Sequence, residues 1–260
     1  MTSAKRAPAD RIKAARRDLS KLRAELTEAL SKERTRKRGP LVRMMHEVQG
    51  MLVPGFPYVS QSGQDQAVER ILQGKRGGTF VDIGAYDGLT GSNSLYFEKY
   101  LGWTGTLVEP VKQNRDKAEM WRSSPCLPYA IADSDGEASF IAVTQGYTQM
   151  SGLEGEYDAG LLSRVRADPR HAEDRIVVPT RSLNSLFAEL GLTQIDFVSL
   201  DIEGGELAAL RPFDHTACRV DVWAIENNTG GPQIAALMRE KGYNLTEFCG
   251  VDEIYVRHDL

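Results

Sequence analysis

From residue 60 onward the chain alternates apolar runs of about five residues with longer amphipathic stretches, and carboxylates stand at the ends of several runs. This alternation restricts the fold more than any other feature. Strands are expected at 79–83, 105–109, 126–132, 138–143, 176–179, 197–201, 220–226 and 253–257, and helices at 62–73, 92–100, 111–120, 182–190, 204–210 and 231–241. Short apolar strands separated by helices predict an α/β domain whose largely parallel sheet is covered on both faces. The final helix, strand, turn, strand order allows an antiparallel edge. Ligands of such sheets bind beyond the carboxyl ends of the strands, where the strand order reverses.

The residues at those ends are polar. Thr79-Phe80-Val81-Asp82-Ile83 runs into Gly84-Ala85-Tyr86-Asp87-Gly88, Thr106-Leu107-Val108 into Glu109, and Ala130-Ile131-Ala132 into Asp133. Phe197–Leu200 runs into Asp201, and Trp223-Ala224-Ile225 into Glu226-Asn227-Asn228. Glycines after a first strand let backbone approach a ligand without a Cβ in the way. A carboxylate after the second strand can accept both ribose hydroxyls of an adenosine, and one after the third an adenine amino proton. The first loop is not GxGxxG, and Asp82 and Asp87 would repel a dinucleotide pyrophosphate. An NAD-dependent oxidoreductase is therefore disfavoured, whereas a cationic sulfonium carrying an α-ammonium suits the loop.

Taken in order, these segments resemble the FkbM family of class I S-adenosylmethionine-dependent methyltransferases over roughly residues 58–257. The residues that carry the resemblance are Tyr58–Asp65, Phe80–Gly88, Leu107–Pro110, Ile195–Glu206 and the strand ending at Glu226. The resemblance implies a Rossmann-like fold, a mostly parallel seven-stranded sheet with helices on both faces, preceded by an N-terminal helix. It implies S-adenosylmethionine (SAM) as cofactor. Asp82, Gly84, Ala85, Tyr86, Asp87 and Gly88 would surround its methionine part, and Glu109 would hold its ribose. Asp133 with Ile131-Ala132 would face its adenine, Gln61, Gln64 and Asp65 would cap the pocket, and Asp201 would contact the cofactor. The implied activity is O-methylation of a sugar hydroxyl on a glycan, glycolipid or glycosylated natural product.

An acceptor hydroxyl must lose its proton to a base or be activated by a metal ion. Asp201 and Glu203 are the expected catalytic acids, and His215 is the histidine to test as a general base; His46, His171 and His258 are isolated. Asp201 paired with Glu226-Asn227 resembles the metal ligands of catechol-type O-methyltransferases, which implies Mg²⁺ or a similar divalent cation. Without a metal, Asp201 would touch cofactor or substrate and Glu226 would be structural. Glu206, at a helix start, reads as structural. The segment 146–174, with Tyr147 and Tyr157, is too long for an ordinary connection and reads as a lid or a disordered insertion, the lid being preferred.

The first 40 residues hold thirteen Lys and Arg against five Asp and Glu, which leaves −12 for the remainder of a chain of net charge −4. An acidic body repels nucleic acid, so no nucleic-acid partner is expected. Residues 10–32 lack Pro and Gly, and Ile12, Ala15, Leu19, Leu22, Leu26 and Ala29 repeat 3-4-3-4-3, predicting a helix stopped at Gly39-Pro40. The arm reads as a solvated helix on its own domain, as a short coiled coil joining a homo-oligomer, or as a tether to nucleic acid or anionic membrane. The division expected is a basic helical arm over 1–40 and a methyltransferase domain over 41–260. Three cysteines without CxxC spacing exclude a disulfide framework and fit a reducing compartment. No apolar run is long enough to span a membrane, so a cytoplasmic protein is expected. A SAM-binding scaffold that has lost catalysis and acts through its arm is the alternative function.

Overall fold

The computed structural model describes residues 7–260; residues 1–6 of the expected arm lie outside the described residues. Two helices open it, α1 (Pro8–Lys32) and α2 (Arg38–Leu52), followed by α3 (Gln64–Ile71). Then come β1 (Thr79–Ile83), α4 (Leu95–Leu101), β2 (Thr104–Val108), α5 (Lys112–Trp121), β3 (Cys126–Leu127) and β4 (Ala130–Ile131). The middle holds β5 (Gly136–Gln145), β6 (Gly152–Leu153), α6 (Ala159–Arg166), β7 (Ala172–Arg181) and α7 (Leu183–Glu189). The chain ends with β8 (Gln194–Leu200), α8 (Glu206–Leu210), β9 (Arg219–Glu226), α9 (Gln233–Glu240), β10 (Tyr243–Cys249) and β11 (Asp252–Arg257). Among the described residues no helix is long and apolar enough to cross a membrane.

Seven strands form one sheet in the order β10-β11-β9-β8-β1-β2-β3. Five are parallel, and β11 and β10 close one edge antiparallel. Side chains alternate across β1: Phe80 joins Phe97, Trp103 and Phe197 under α3, α4 and α5, while Val81 and Ile83 join Leu186, Leu210 and Trp223 under α7, α8 and α9. Each fully buried large apolar side chain contributes about 1.5–3 kcal/mol relative to exposure. Burial on both faces explains the near-continuous apolar reading of these strands. The strand order reverses between β1 and β8, which opens a crevice at their carboxyl ends.

Two sequence expectations change. The runs at 138–143 and 176–179 do not enter the main sheet; with β4 and β6 they form a second sheet, ordered β4-β7-β5-β6. The single strand expected over 126–132 is divided, Cys126–Leu127 pairing with β2 and Ala130–Ile131 with β7. Pro128, which has no N–H for a ladder, lies at the division. The segment 146–174 is folded: Leu153 pairs with Phe140, and α6 packs Leu161 and Val165 on Ile141 and Val143. Strand β10 was not among the expected ones because its solvent face is polar at Asn244 and Thr246.

The Gly39-Pro40 stop is also not one. Both residues lie in the first turn of α2, where a missing N–H is harmless. Gly39 meets β10–β11: the Gly250 N–H donates to the Gly39 carbonyl at 3.1 Å, and a Cβ on Gly39 would fall 2.0 Å from the Gly250 oxygen. Basic residues of the arm are engaged here. Arg36 pairs with buried Glu253 at 2.5 Å and donates to the carbonyls of Val251 and Asn227. Arg38 joins Glu247 to the Leu30 and Glu33 carbonyls at the end of α1, and Arg70 reaches Glu247 at 3.1 Å. Removing one partner of a largely buried ion pair is more destabilising than replacing both. Arg38→Met is expected to lower stability by about 2 kcal/mol in urea unfolding, in the 1–3 kcal/mol range for a buried group losing its partner. Arg38→Met with Glu247→Leu should recover most of that loss.

Candidate active site

A cavity of about 410 Å³ opens at the carboxyl ends of β1, β2, β8 and β9. Its floor is the loop after β1. Gly84 has φ +81°, and a Cβ there would lie 1.7 Å from the Asp201 carbonyl oxygen, so no side chain fits. The Gly84 and Ala85 N–H groups donate to the Val108 carbonyl at 2.9 and 3.1 Å, and the Asp201 N–H donates to that of Ile83 at 3.1 Å. The loop is therefore stitched to the ends of β2 and β8 together.

Glu109, just beyond β2, is buried and lines the cavity. One carboxylate oxygen accepts from the Tyr86 N–H at 3.1 Å, the other from the Val111 N–H at 2.8 Å. Burial pushes its pKa up to about 7, against the lowering effect of these bonds and of Asn114. Tyr86, at φ +50°, donates or accepts through its hydroxyl with Thr148 at 2.7 Å, joining the floor to the segment expected to be a lid. From that segment Gln149, Met150, Ser151 and Leu153 line the cavity. Tyr157 is buried and its hydroxyl donates to the Met150 carbonyl, while Tyr147 is exposed.

Asp82, buried at the end of β1, accepts from Ser94 Oγ at 2.5 Å and Ser92 Oγ at 3.3 Å; burial raises its pKa and nearby Arg122 opposes the rise. Arg122 is a residue that sequence reasoning missed. Its side chain is wholly buried, pairs with Glu98 at 3.0 Å, and donates to the Gly88 carbonyl and to both serines. An arginine one residue beyond an exposed helix gives no signal of burial. Asn93 was missed too: it lines the cavity, donates to Ser199 Oγ at 3.0 Å, and its Oδ1 is buried without a partner.

Asp82, Gly84, Ala85 and Tyr86 line the cavity, as do Gln61 and Gln64. Asp87 and Gly88 do not; Asp87 accepts from the Leu89 and Thr90 N–H groups and shapes the turn. Asp65 accepts from the Val59 and Ser60 N–H groups, away from the cavity. Asp133 is exposed and borders a different, shallow concavity, because the chain leaves for the second sheet at β4. Ala132 borders that concavity too, whereas Ile131, also expected to face the adenine, lines the main cavity with Tyr129, Ala130 and Phe140.

At the other end stand Asp201, Glu203 and Glu226, each with an oxygen within 4.8 Å of the others'. Burial raises all three pKa values well above the usual carboxylate range; repulsion from Asp252 and Glu206 adds to it, and the Asp201 charge further raises Glu203 and Glu226. Asp252, aligned with Glu226 across β9–β11, is pushed up to about 6 by its burial. Glu203 holds φ +63°, a conformation costly for a side-chain-bearing residue. Glu206 accepts from the Ile202 and Gly204 N–H groups and closes the turn.

Two expected site residues are displaced. Asn227 donates to Gly231 O and Glu253 and accepts from Thr229, so it shapes the turn after β9, and Asn228 lines the cavity in its place. His215 is buried against Phe213, Trp223 and Tyr243, both ring nitrogens without partners, and burial pushes its pKa down to about 4. It lies outside the residues that line the cavity. The cavity carries the carboxylates of Asp82, Glu109, Asp201, Glu203, Glu226 and Asp252 against a single cation, Arg43. Such a site repels phosphates and attracts a cationic ligand.

The sheet order and the ligand crevice at its switch point define a class I methyltransferase fold. The profile of the methyltransferase FkbM domain matches residues 82–245, and the chain belongs to that family. No curated protein matches it. Among solved structures it is similar to the FkbM methyltransferase of Methylobacillus flagellatus KT, at 12% identity and TM-score 0.45, covering 90% of this chain and 58% of that one. A SAM-dependent methyltransferase of Aquifex aeolicus is similar at 11% identity and TM-score 0.35, covering 81% and 95%. The chain thus spans a little over half the length of the first of these.

Because each His215 nitrogen is buried without a partner, His215→Leu is expected to leave stability unchanged or raise it by about 1 kcal/mol, read by urea unfolding. Titration of that folded variant with S-adenosylhomocysteine should match wild type. Methyl transfer lost in a folded variant that still binds would return His215 to the site as the general base.

Proposed function

We propose that this chain transfers the methyl group of SAM to a hydroxyl of an acceptor, a sugar of a glycan, glycolipid or glycosylated natural product. The observation that carries the reading is Glu109: a buried carboxylate at the end of the second strand, oriented by two backbone N–H groups and open to the cavity. A diol binds such a group through two donated hydrogen bonds, and the ribose of SAM supplies the diol. The adenine then lies against Tyr129, Ala130, Ile131 and Phe140, and the methionine part lies over Gly84-Ala85 between Asp82, Asn93 and Gln61. The unpartnered Asn93 Oδ1 suits the α-ammonium.

The sulfonium then points toward Asp201 and Glu203, where the acceptor sits. In an in-line displacement the acceptor oxygen forms the new O–CH3 bond as the S–CH3 bond breaks, and S-adenosylhomocysteine leaves as a neutral thioether. The hydroxyl proton passes to the Glu203 carboxylate, which lines the cavity beside Asp201. Most of the acceleration comes from positioning. The polar lining of Ser62, Thr90, Ser151 and Gln149, three hydroxyls and an amide, supports a polyhydroxylated acceptor. Three free, buried cysteines support a reducing compartment. Exposed Ile12 and Leu22 on α1 support self-association through that helix.

Calorimetric titration with S-adenosylhomocysteine tests the reading, and saturable micromolar binding is expected. Two hydrogen bonds to a charged group, about 1.5–3 kcal/mol each, make Glu109→Ala lose about a hundredfold or more in affinity. Glu203→Ala should bind normally and lose turnover. Ribose hydroxyls donate to the ionised carboxylate, so affinity should fall about tenfold per unit as pH drops below about 7, where Glu109 takes up its proton. Glu109→Gln should flatten that dependence. In the ligand-free protein the sign is opposite: the raised pKa favours folding while Glu109 is protonated, and this contribution is lost as pH rises through about 7. No binding to the folded chain would overturn the cofactor assignment.

A further inference from the structure

Buried carboxylates ordinarily answer their burial with cations or N–H donors. Most in this protein do: Glu247 has Arg38 and Arg70, Glu253 has Arg36, and Asp65, Glu109 and Glu206 have backbone donors. The trio at the ends of β8 and β9 does not. Glu226 is buried, its Oε2 has no hydrogen-bond partner, and it lines the cavity beside Asp201 and Glu203. The Glu203 carboxylate has a single long contact, from Asn228 Nδ2 at 3.5 Å. The arginines that approach this edge of the sheet are already engaged with Glu247 and Glu253.

We infer that Asp201, Glu203 and Glu226 form a binding site for one divalent cation of the Mg²⁺ class at the acceptor end of the cavity. Three carboxylate oxygens within 4.8 Å of one another can close on a common ion at about 2.0–2.1 Å after small side-chain rotations, since octahedral ligands at that distance stand about 3.0–4.2 Å apart. The donor set is all oxygen, with no histidine or cysteine, which selects Mg²⁺ or Mn²⁺ over Zn²⁺. A cation there gives the orphaned Glu226 oxygen its partner and offsets the repulsion that Asp252 and Glu206 impose on the trio. Octahedral coordination leaves about three positions for water or for acceptor oxygens. An acceptor with two adjacent hydroxyls fills two of them and is thereby oriented and made more acidic. The ligand set differs from the one expected from sequence, since Glu203 stands where Asn227 was expected. The inference rests on the methyl-transfer reading for its purpose but not for its test.

The experiment is a Mn²⁺ titration of the full chain followed by electron paramagnetic resonance, with a parallel calorimetric titration of S-adenosylhomocysteine. One Mn²⁺ per chain is expected, displaced by excess Mg²⁺. Glu226→Gln and Glu203→Gln should weaken Mn²⁺ at least tenfold while S-adenosylhomocysteine binds as in wild type. Thermal unfolding gives a second readout: Mg²⁺ should raise the Tm of wild type and not of Glu226→Gln, and in chelator Glu226→Gln should melt above wild type because a buried repulsion has gone. A chain that binds S-adenosylhomocysteine but takes up no Mn²⁺, or a Glu226→Gln variant that binds Mn²⁺ unchanged, overturns the site. Mn²⁺ uptake without S-adenosylhomocysteine binding keeps the cation site and overturns the methyl-donor reading instead.

Discussion

The contact on which the rest of the site depends is the approach of the loop after β1 to the end of β8. The Gly84 α-carbon lies so near the Asp201 carbonyl that a methyl group cannot be placed between them. That approach has two effects. It aligns the carboxyl ends of three neighbouring parallel strands, because Gly84 and Ala85 bond to Val108 while Asp201 bonds to Ile83. It also brings Asp82 and Asp201, distant in sequence, onto one cavity wall. A larger residue at 84 would separate β1 from β8 and open the floor.

The second constraint is electrostatic. Six carboxylates around one cavity are a costly arrangement unless cationic ligands or donors answer them. The chain answers them differently at the two ends. Near β1 and β2 the carboxylates are held by serine hydroxyls and backbone N–H groups, with Arg122 behind them. Near β8 and β9 the carboxylates face one another with Glu226 Oε2 left unpaired. The first arrangement suits a neutral diol and an ammonium, the second a more concentrated positive charge.

The arm is less separate from the body than its charge suggests. Arg36 and Arg38 complete ion pairs with Glu253 and Glu247, which the acidic body buries, and Pro40 and Arg43 of α2 reach the cavity rim. Farther out, Lys13, Arg16, Arg17, Lys21 and Arg23 are exposed. Part of the basic excess is therefore structural, and only the remainder on α1 is free to meet anything else.

The periodicity of the apolar runs was enough to read the central strands. Thr79–Ile83 was legible to the residue, and β2, β8, β9 and β11 to within a few positions, because strands buried on both faces have little sequence freedom. The Gly84 loop and the carboxylates Glu109, Asp201 and Glu226 were legible for the same reason: they lie at or immediately after the ends of such strands. What the sequence could not decide is where side chains go once the backbone leaves the sheet. At Pro128 the chain departs for a second sheet and takes Asp133 away from the cavity; after β9 the turn gives Asn227 to Gly231 and Glu253 and leaves Asn228 facing inward. His215 is near the site in sequence, yet the fold buries it among aromatic rings. Local pattern determined the strands and the polar residues that end them, because hydrophobic burial is written in short-range periodicity. The grouping of Glu203, rather than Asn227, with Asp201 and Glu226 and the engagement of the arm were decided by tertiary structure, because both depend on distances between segments that no local pattern encodes.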